Sequence, residues 1–155
     1  MAEILNIDPQ HMKGRRIKKA ADLLRDGGVI VYPTDTIYGL GCDITNKEAI
    51  ERIRRIKGRS SKKPMSFVCA DLSNVSDYAH VSNHAYRILK RSLPGPYTFV
   101  LPATRETPRI LQTKQKTVGL RVPNHPVPLA LVAELGHPII STSAGMMKLS
   151  SRFGL

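Results

Sequence analysis

Short apolar runs alternate with segments of helical period along most of this chain, and that alternation restricts the fold more than any other feature. Val29-Ile30-Val31-Tyr32 is a continuous apolar run of strand length, as expected of a buried central strand. Ahead of it, Arg15 to Asp26 places Ile17, Ala20, Ala21 and Leu24 on one helical stripe, with a basic opposite face. Gly27-Gly28 suits the end of that helix and a turn. Lys47 to Lys57 repeats the pattern, with Ile50, Ile53 and Ile56 at three-residue steps, Asn46 as N-cap and Gly58 as the stop. Helices are also expected from Asn83 to Leu93, with Tyr86, Leu89 and Leu93 on one face, and from about Val127 to Leu135. Tyr38 to Ile44, Met65 to Ala70, Tyr97 to Leu101, Thr117 to Val122 and Ile139-Ile140 read as extended segments, and Ala2 to Ile7 as a short first strand. Strands and helices alternating in this way give an α/β fold, a twisted mixed sheet flanked by helices.

The chain has 155 residues, enough for one domain with a real core. With no Trp and only 5% aromatic residues, that core must be aliphatic. The net charge of +12, from 24 Lys and Arg against 12 Asp and Glu, favours an anionic partner, with nucleic acid the leading candidate. Cys42 and Cys69 form neither a metal-ligand spacing nor a disulfide framework. The opening Met-Ala-Glu-Ile-Leu-Asn is not a secretory signal, and no apolar run approaches membrane-spanning length, so the cytoplasm is the expected compartment.

Chemistry-bearing residues gather where the predicted elements end. Pro33-Thr34-Asp35-Thr36 puts two hydroxyls and a carboxylate after a strand, a usual ligand position in open α/β sheets, although these are also ordinary turn residues. Gly39 and Gly41 permit close approach to a neighbouring group, but no dinucleotide fingerprint and no P-loop accompany them. Lys57 complements a helix C-terminus, whereas Arg59, beyond Gly58, points elsewhere; together they can grip a triphosphate from two directions. Arg121 closes a strand and either clamps a carboxylate or makes a salt bridge. Ser141-Thr142-Ser143 again places small hydroxyls at a strand end. The five histidines read as surface or cap residues, and no metal site is expected from the protein.

Five of these segments, in order, resemble the motifs of the YrdC family. They are Tyr32-Pro33-Thr34-Asp35-Thr36-Ile37-Tyr38-Gly39-Leu40-Gly41; Lys57-Gly58-Arg59 with Pro64-Met65; Leu93-Pro94-Gly95-Pro96-Tyr97-Thr98; Thr117-Val118-Gly119-Leu120-Arg121-Val122-Pro123; and Ser141-Thr142-Ser143-Ala144. The resemblance implies a YrdC-like fold and a threonylcarbamoyl-AMP synthase acting in tRNA threonylcarbamoyladenosine modification. Such an enzyme is a nucleotidyltransferase that joins L-threonine, bicarbonate and ATP, with Mg2+, and releases pyrophosphate. By this resemblance Lys57, Arg59 and Ser143 are catalytic; Lys57, Arg59 and Thr117 bind the nucleotide; and Thr34, Ser66, Arg121 and Ser143 bind threonine. Two features depart from the family pattern. Gly145 stands where the family's serine motif ends in Asn, and further family strands are expected beyond the last ten residues, so the domain, 1–155, is expected to be incomplete at its C-terminus. Gly28 to Asp35, Met65 to Cys69 and Ser141 to Ser143 look closer to the YciO-like branch, for which the alternative is a non-catalytic double-stranded RNA- or tRNA-binding module.

Overall fold

The computed structural model describes residues 2–58 and 65–144. In chain order the elements are α1 (Gly14–Arg25), β1 (Ile30–Tyr32), β2 (Gly39–Asp43), α2 (Lys47–Lys57), β3 (Ser66–Val68), α3 (Val75–Tyr78), α4 (Asn83–Ser92), β4 (Phe99–Pro102), a 3-10 turn (Arg109–Leu111), β5 (Thr117–Arg121), α5 (Pro126–Leu135) and β6 (Ile139–Ser143). The six strands form one sheet in the order β1-β2-β6-β3-β5-β4. Only β3 and β5 run parallel, so the sheet is mixed, as expected.

Side chains of successive strand residues leave opposite faces of the sheet, and this chain uses the two faces differently. Leu40, Cys42, Phe67, Val118, Leu120, Leu101 and Ile140 share one face and pack against Ile50 and Ile53 of α2, Val75 of α3 and Leu89 of α4. On the other face, α1 and α5 cover Tyr32, Val68 and Ile139 with Ile17, Leu24, Val127, Leu131 and Leu135. The rest of that second face carries Ser66, Gly119, Arg121, Ser141 and Ser143, which no helix covers with apolar side chains.

Both predicted helix ends of α2 are present. The Asn46 side chain accepts from the Ala49 amide at 2.9 Å, and Gly58 takes a positive φ of 64°. Ile50 and Ile53 are fully buried while Ile56 is only partly so, because three-residue steps drift around a helix of 3.6 residues per turn. On α4, Leu89 is buried but Tyr86 is 46% exposed, so the predicted three-residue face is narrower than its periodicity suggested.

Two expectations are corrected. Residues 2–7 form no strand: Leu5 and Ile7 pack against the α1–α5 cluster, Asn6 accepts from Arg16 through its carbonyl, and Glu3 pairs with Lys19. The segment therefore lies along α1, where its apolar residues find cover. The run ending at Tyr32 is an edge strand rather than a central one, and Val31 is 42% exposed. The continuous apolar run here buries Tyr32 and half-buries Val29 and Ile30 without having a partner strand on each side.

Cys42 and Cys69 are free and buried, and burial pushes both thiols up to about 12. Burial likewise pushes the Tyr32 phenol up to about 12. Above the ordinary thiol value the unfolded chain releases protons that the folded chain retains, so stability falls as pH rises. The contribution of these three groups is complete below about pH 9 and is lost towards pH 12. Urea midpoints measured against pH are expected to hold steady through neutrality and decline above pH ~9; a flat midpoint to pH ~11 would contradict this burial.

Candidate functional site

The uncovered part of the second face is built from alternate residues of three strands. Thr117, Gly119 and Arg121 of β5 face it, while Val118 and Leu120 between them are fully buried on the opposite side. Ser66 lies level with Gly119 and with Ser141 in the paired registers. Small residues at these positions leave the sheet backbone as the floor of a groove, and a Cβ on Gly119 would come within 3.2 Å of Ser66 Cβ and 3.1 Å of Thr98 Cγ2.

Loop 33–38 crosses this groove. It leaves the sheet at Tyr32 and returns at Gly39, yet Asp35 Oδ2 accepts from the Asn124 amide at 2.8 Å, just beyond the end of β5. Strands β6 and β3 lie between β2 and β5, a span of roughly 14 Å at the usual strand spacing. Arg121 meets the loop: its Nη2 donates to Asp35 Oδ1 at 3.4 Å and to Thr36 Oγ1 at 3.2 Å. The two side chains of this pair are only 15% and 12% exposed, and Arg121 Nε is buried with no hydrogen-bond partner. A guanidinium engaged on one nitrogen by long bonds, with another N–H unsatisfied, is poised to take a carboxylate. Inside the loop, Thr34 Oγ1 donates to the Ile37 carbonyl at 2.6 Å and accepts from the Thr36 amide at 3.1 Å, fixing the turn from within.

At the far end of the face Lys57 Nζ donates to the Ser143 carbonyl at 2.7 Å, which brings the C-terminus of α2 to the end of β6. Thr117 begins β5 and exchanges a 2.7 Å hydroxyl contact with Thr113. Continuing the strand registers places Thr117 level with Ser143, about 13 Å along the sheet from Arg121. Thr34 and Arg121 thus gather towards one end of the groove, Lys57, Ser143 and Thr117 towards the other, and Ser66 lies midway between them. Arg59 and Gly145 lie outside the described residues.

Sequence reasoning counted Asp35 and Ser141 among the polar groups at strand ends but gave neither them nor Tyr32 a specific role. Gly39 and Gly41 approach closely not a ligand but the Tyr32 ring: a Cβ on Gly39 would sit 2.8 Å from Tyr32 Cζ, and one on Gly41 3.0 Å from Cε1. The ring lies flat on these glycines, and its hydroxyl donates to Ser141 Oγ at 2.5 Å. The alternation Gly-x-Gly opposite an aromatic residue was the available signal. Among the described residues no three His, Cys, Asp or Glu side chains gather as metal ligands, and Asp35 is already taken by Arg121 and Asn124. A cleft of about 930 Å3, lined among others by Ile44, Ile50, Tyr78 and Ile110, shares no residue with the groove. Among the described residues no helix is long and apolar enough to cross a membrane.

Known proteins share this fold and much of this sequence. A family model described as telomere recombination, covering Sua5, YciO and YrdC proteins, matches residues 22–151. The Escherichia coli K12 protein YciO is 46% identical over 144 residues, 92% of this chain and 70% of that protein. Its crystal structure superposes with a TM-score of 0.89, covering 95% of this chain and 72% of that one. A threonylcarbamoyl-AMP synthase of Nitrosococcus oceani is 42% identical, over 83% of this chain and 70% of its own length. The structure of P. abyssi Sua5 complexed with L-threonine superposes with a TM-score of 0.81 at 32% identity, over 86% of this chain and 40% of that protein. With the groove, its loop and these likenesses together, the chain belongs to the Sua5/YciO/YrdC family.

Proposed function

We propose that this protein is a threonylcarbamoyl-AMP synthase, converting L-threonine, bicarbonate and ATP to threonylcarbamoyl-AMP and pyrophosphate in the cytoplasm, for tRNA modification. The observation that carries the reading is Arg121, a half-satisfied guanidinium at the end of a roofed polar groove, in a chain 42% identical to a synthase. Arg121 takes the threonine carboxylate, with Thr34 and Ser66 lining the pocket and Ser143 closing it on the nucleotide side. Threonine attacks bicarbonate through its amine to give a carbamate with loss of water. A carbamate oxygen then attacks the α-phosphorus of ATP, the bond to the β-phosphate oxygen breaks, and pyrophosphate leaves. Lys57 and Arg59 supply the cations that meet the developing phosphoryl charge, with Thr117 beside the nucleotide. Lys57 and Ser143, joined at 2.7 Å, stand together at the end of the groove away from Arg121. Magnesium enters as part of the nucleotide substrate, held by its phosphates and water. Gly145 contributes no side chain where the family pattern has a donor, so turnover is expected to be slow; the absence of one such donor costs about a hundredfold or more.

The test is pyrophosphate release by the purified chain, with threonine and bicarbonate omitted in turn. Release that needs both supports the reading; release that ignores threonine, or none from folded protein, overturns it.

One observation favours a second reading, RNA binding by the YciO-like branch. The outer side of α1 and its N-terminal flank present Lys13, Arg15, Arg16, Lys18 and Lys19 around a cleft of about 640 Å3. If these cations hold phosphates, the logarithm of affinity for tRNA or an RNA duplex falls linearly with that of salt. Charge reversal at Lys13 and Arg15 should flatten that slope by about two. Titrations from 50 to 200 mM salt decide, and binding indifferent to salt removes this reading.

A further inference from the structure

Tyr32 is 2% exposed, yet its hydroxyl reaches the uncovered face and donates to Ser141 Oγ at 2.5 Å. Ser141 is itself only 3% exposed and sits level with Ser66 in the floor of the groove. The seat that holds the phenol there is specific, because Gly39 and Gly41 leave no room for a Cβ beneath the ring. Among the described residues the phenol has no other recorded acceptor. Burial keeps it protonated, against the pull of the nearby Arg121 charge. A serine hydroxyl has one proton and two lone pairs. Once Tyr32 occupies a lone pair, the hydroxyl is held in orientation and keeps its own proton to give to the groove, with a single lone pair beside it.

We propose that Tyr32 is a positioning residue: by donating to Ser141 Oγ, it fixes the Ser141 hydroxyl as a donor to an anionic oxygen of the substrate held beside Arg121. The assignment rests on the threonine pocket described under the proposed function. It explains why a tyrosine and two glycines, none of them facing the open groove, share one corner of it. Without the phenol, Ser141 is free to turn its proton elsewhere, and the substrate meets a lone pair as readily as a proton.

The experiment uses the full chain and four variants: Tyr32→Phe, Ser141→Ala, the two combined, and Ser141→Cys. Calorimetry reads L-threonine affinity, and pyrophosphate release gives KM for threonine and kcat separately. Tyr32→Phe keeps the ring on its glycine seat, so the melting temperature should stay close to that of the parent. Ser141→Ala is expected to weaken threonine binding about ten- to a hundredfold, the worth of one hydrogen bond to a charged group, and Tyr32→Phe at least about fivefold but no more than Ser141→Ala does, with kcat at saturation changed less than about threefold. The combined variant should bind no more weakly than Ser141→Ala alone, because the phenol acts only through the serine. Independent, multiplied losses would overturn the assignment, as would parent-like affinity in Tyr32→Phe. Ser141→Cys keeps the size with a weak donor, so parent-like affinity there overturns it even if Tyr32→Phe does not fold. A parent protein that neither binds threonine nor releases pyrophosphate overturns the proposed function, and the positioning role with it. Threonine binding that is intact in the parent and equal in all variants overturns the positioning role alone.

Discussion

Arg121→Ala is expected to raise the KM for threonine by about two orders of magnitude while leaving the KM for ATP within a few-fold. A charge-assisted hydrogen bond is worth about 1.5–3 kcal/mol, and a guanidinium gives a carboxylate two in parallel. The site offers that pairing: Nη2 is held by bonds of 3.2 and 3.4 Å, long enough to be exchanged for better ones, and Nε has no partner. Arg121→Lys should not restore binding, because an ammonium cannot reproduce the fork. Stability should fall as well, by about 1–3 kcal/mol, since Asp35 at 12% exposure would keep only the Asn124 amide. Steady-state kinetics with threonine and ATP varied separately check both halves. If both KM values rise together, Arg121 organises the fold of the groove and not the amino acid.

Local rules made much of this molecule legible. The Asn46 cap, the Gly58 stop and the Ile50–Ile53 stripe of α2 each depend on residues within one or two turns, and all three are present. The same holds for α5, where Gly136 takes the left-handed conformation that ends the helix. Alternation in Thr117–Arg121 also carries over, and it separates core from groove residue by residue. Strand order was not legible, because it is set by pairings far apart in sequence. Val29 to Tyr32 read as central, and only the pairing of β2 with β6, about a hundred residues later, leaves β1 at the edge. The site followed the same division. Its residue types were visible as motifs, but the Asp35–Arg121 and Tyr32–Ser141 contacts join residues 86 and 109 positions apart. The glycines of β2 were correctly read as permitting close approach, while the group that approaches belongs to the neighbouring strand.

Strand β3 puts stability and recognition on adjacent residues, and Phe67→Ala should separate them. Phe67 is fully buried, lies level with Leu120 and Ile140 on its two neighbouring strands, and packs against the Tyr78 ring with centroids 5.6 Å apart. Truncating a buried phenylalanine costs about 3–5 kcal/mol, at least roughly a fifth of the ~5–15 kcal/mol that holds a domain folded. For a chain of this size that corresponds to roughly 10–15 °C in melting temperature. Ser66, one residue earlier, faces the groove, and its hydroxyl donates only a long 3.4 Å bond to the Ser141 carbonyl. Ser66→Ala should therefore leave the melting temperature within about 2 °C and weaken threonine binding several-fold, about the worth of one hydrogen bond. Phe67→Ala, assayed well below its own transition, should bind threonine nearly as the parent does. Thermal melts and calorimetry on the two variants make a crossed comparison. A Ser66→Ala protein that melts as early as Phe67→Ala would show that the small residues on this face hold the sheet together, and that the groove is a by-product of packing rather than a place kept open for a ligand.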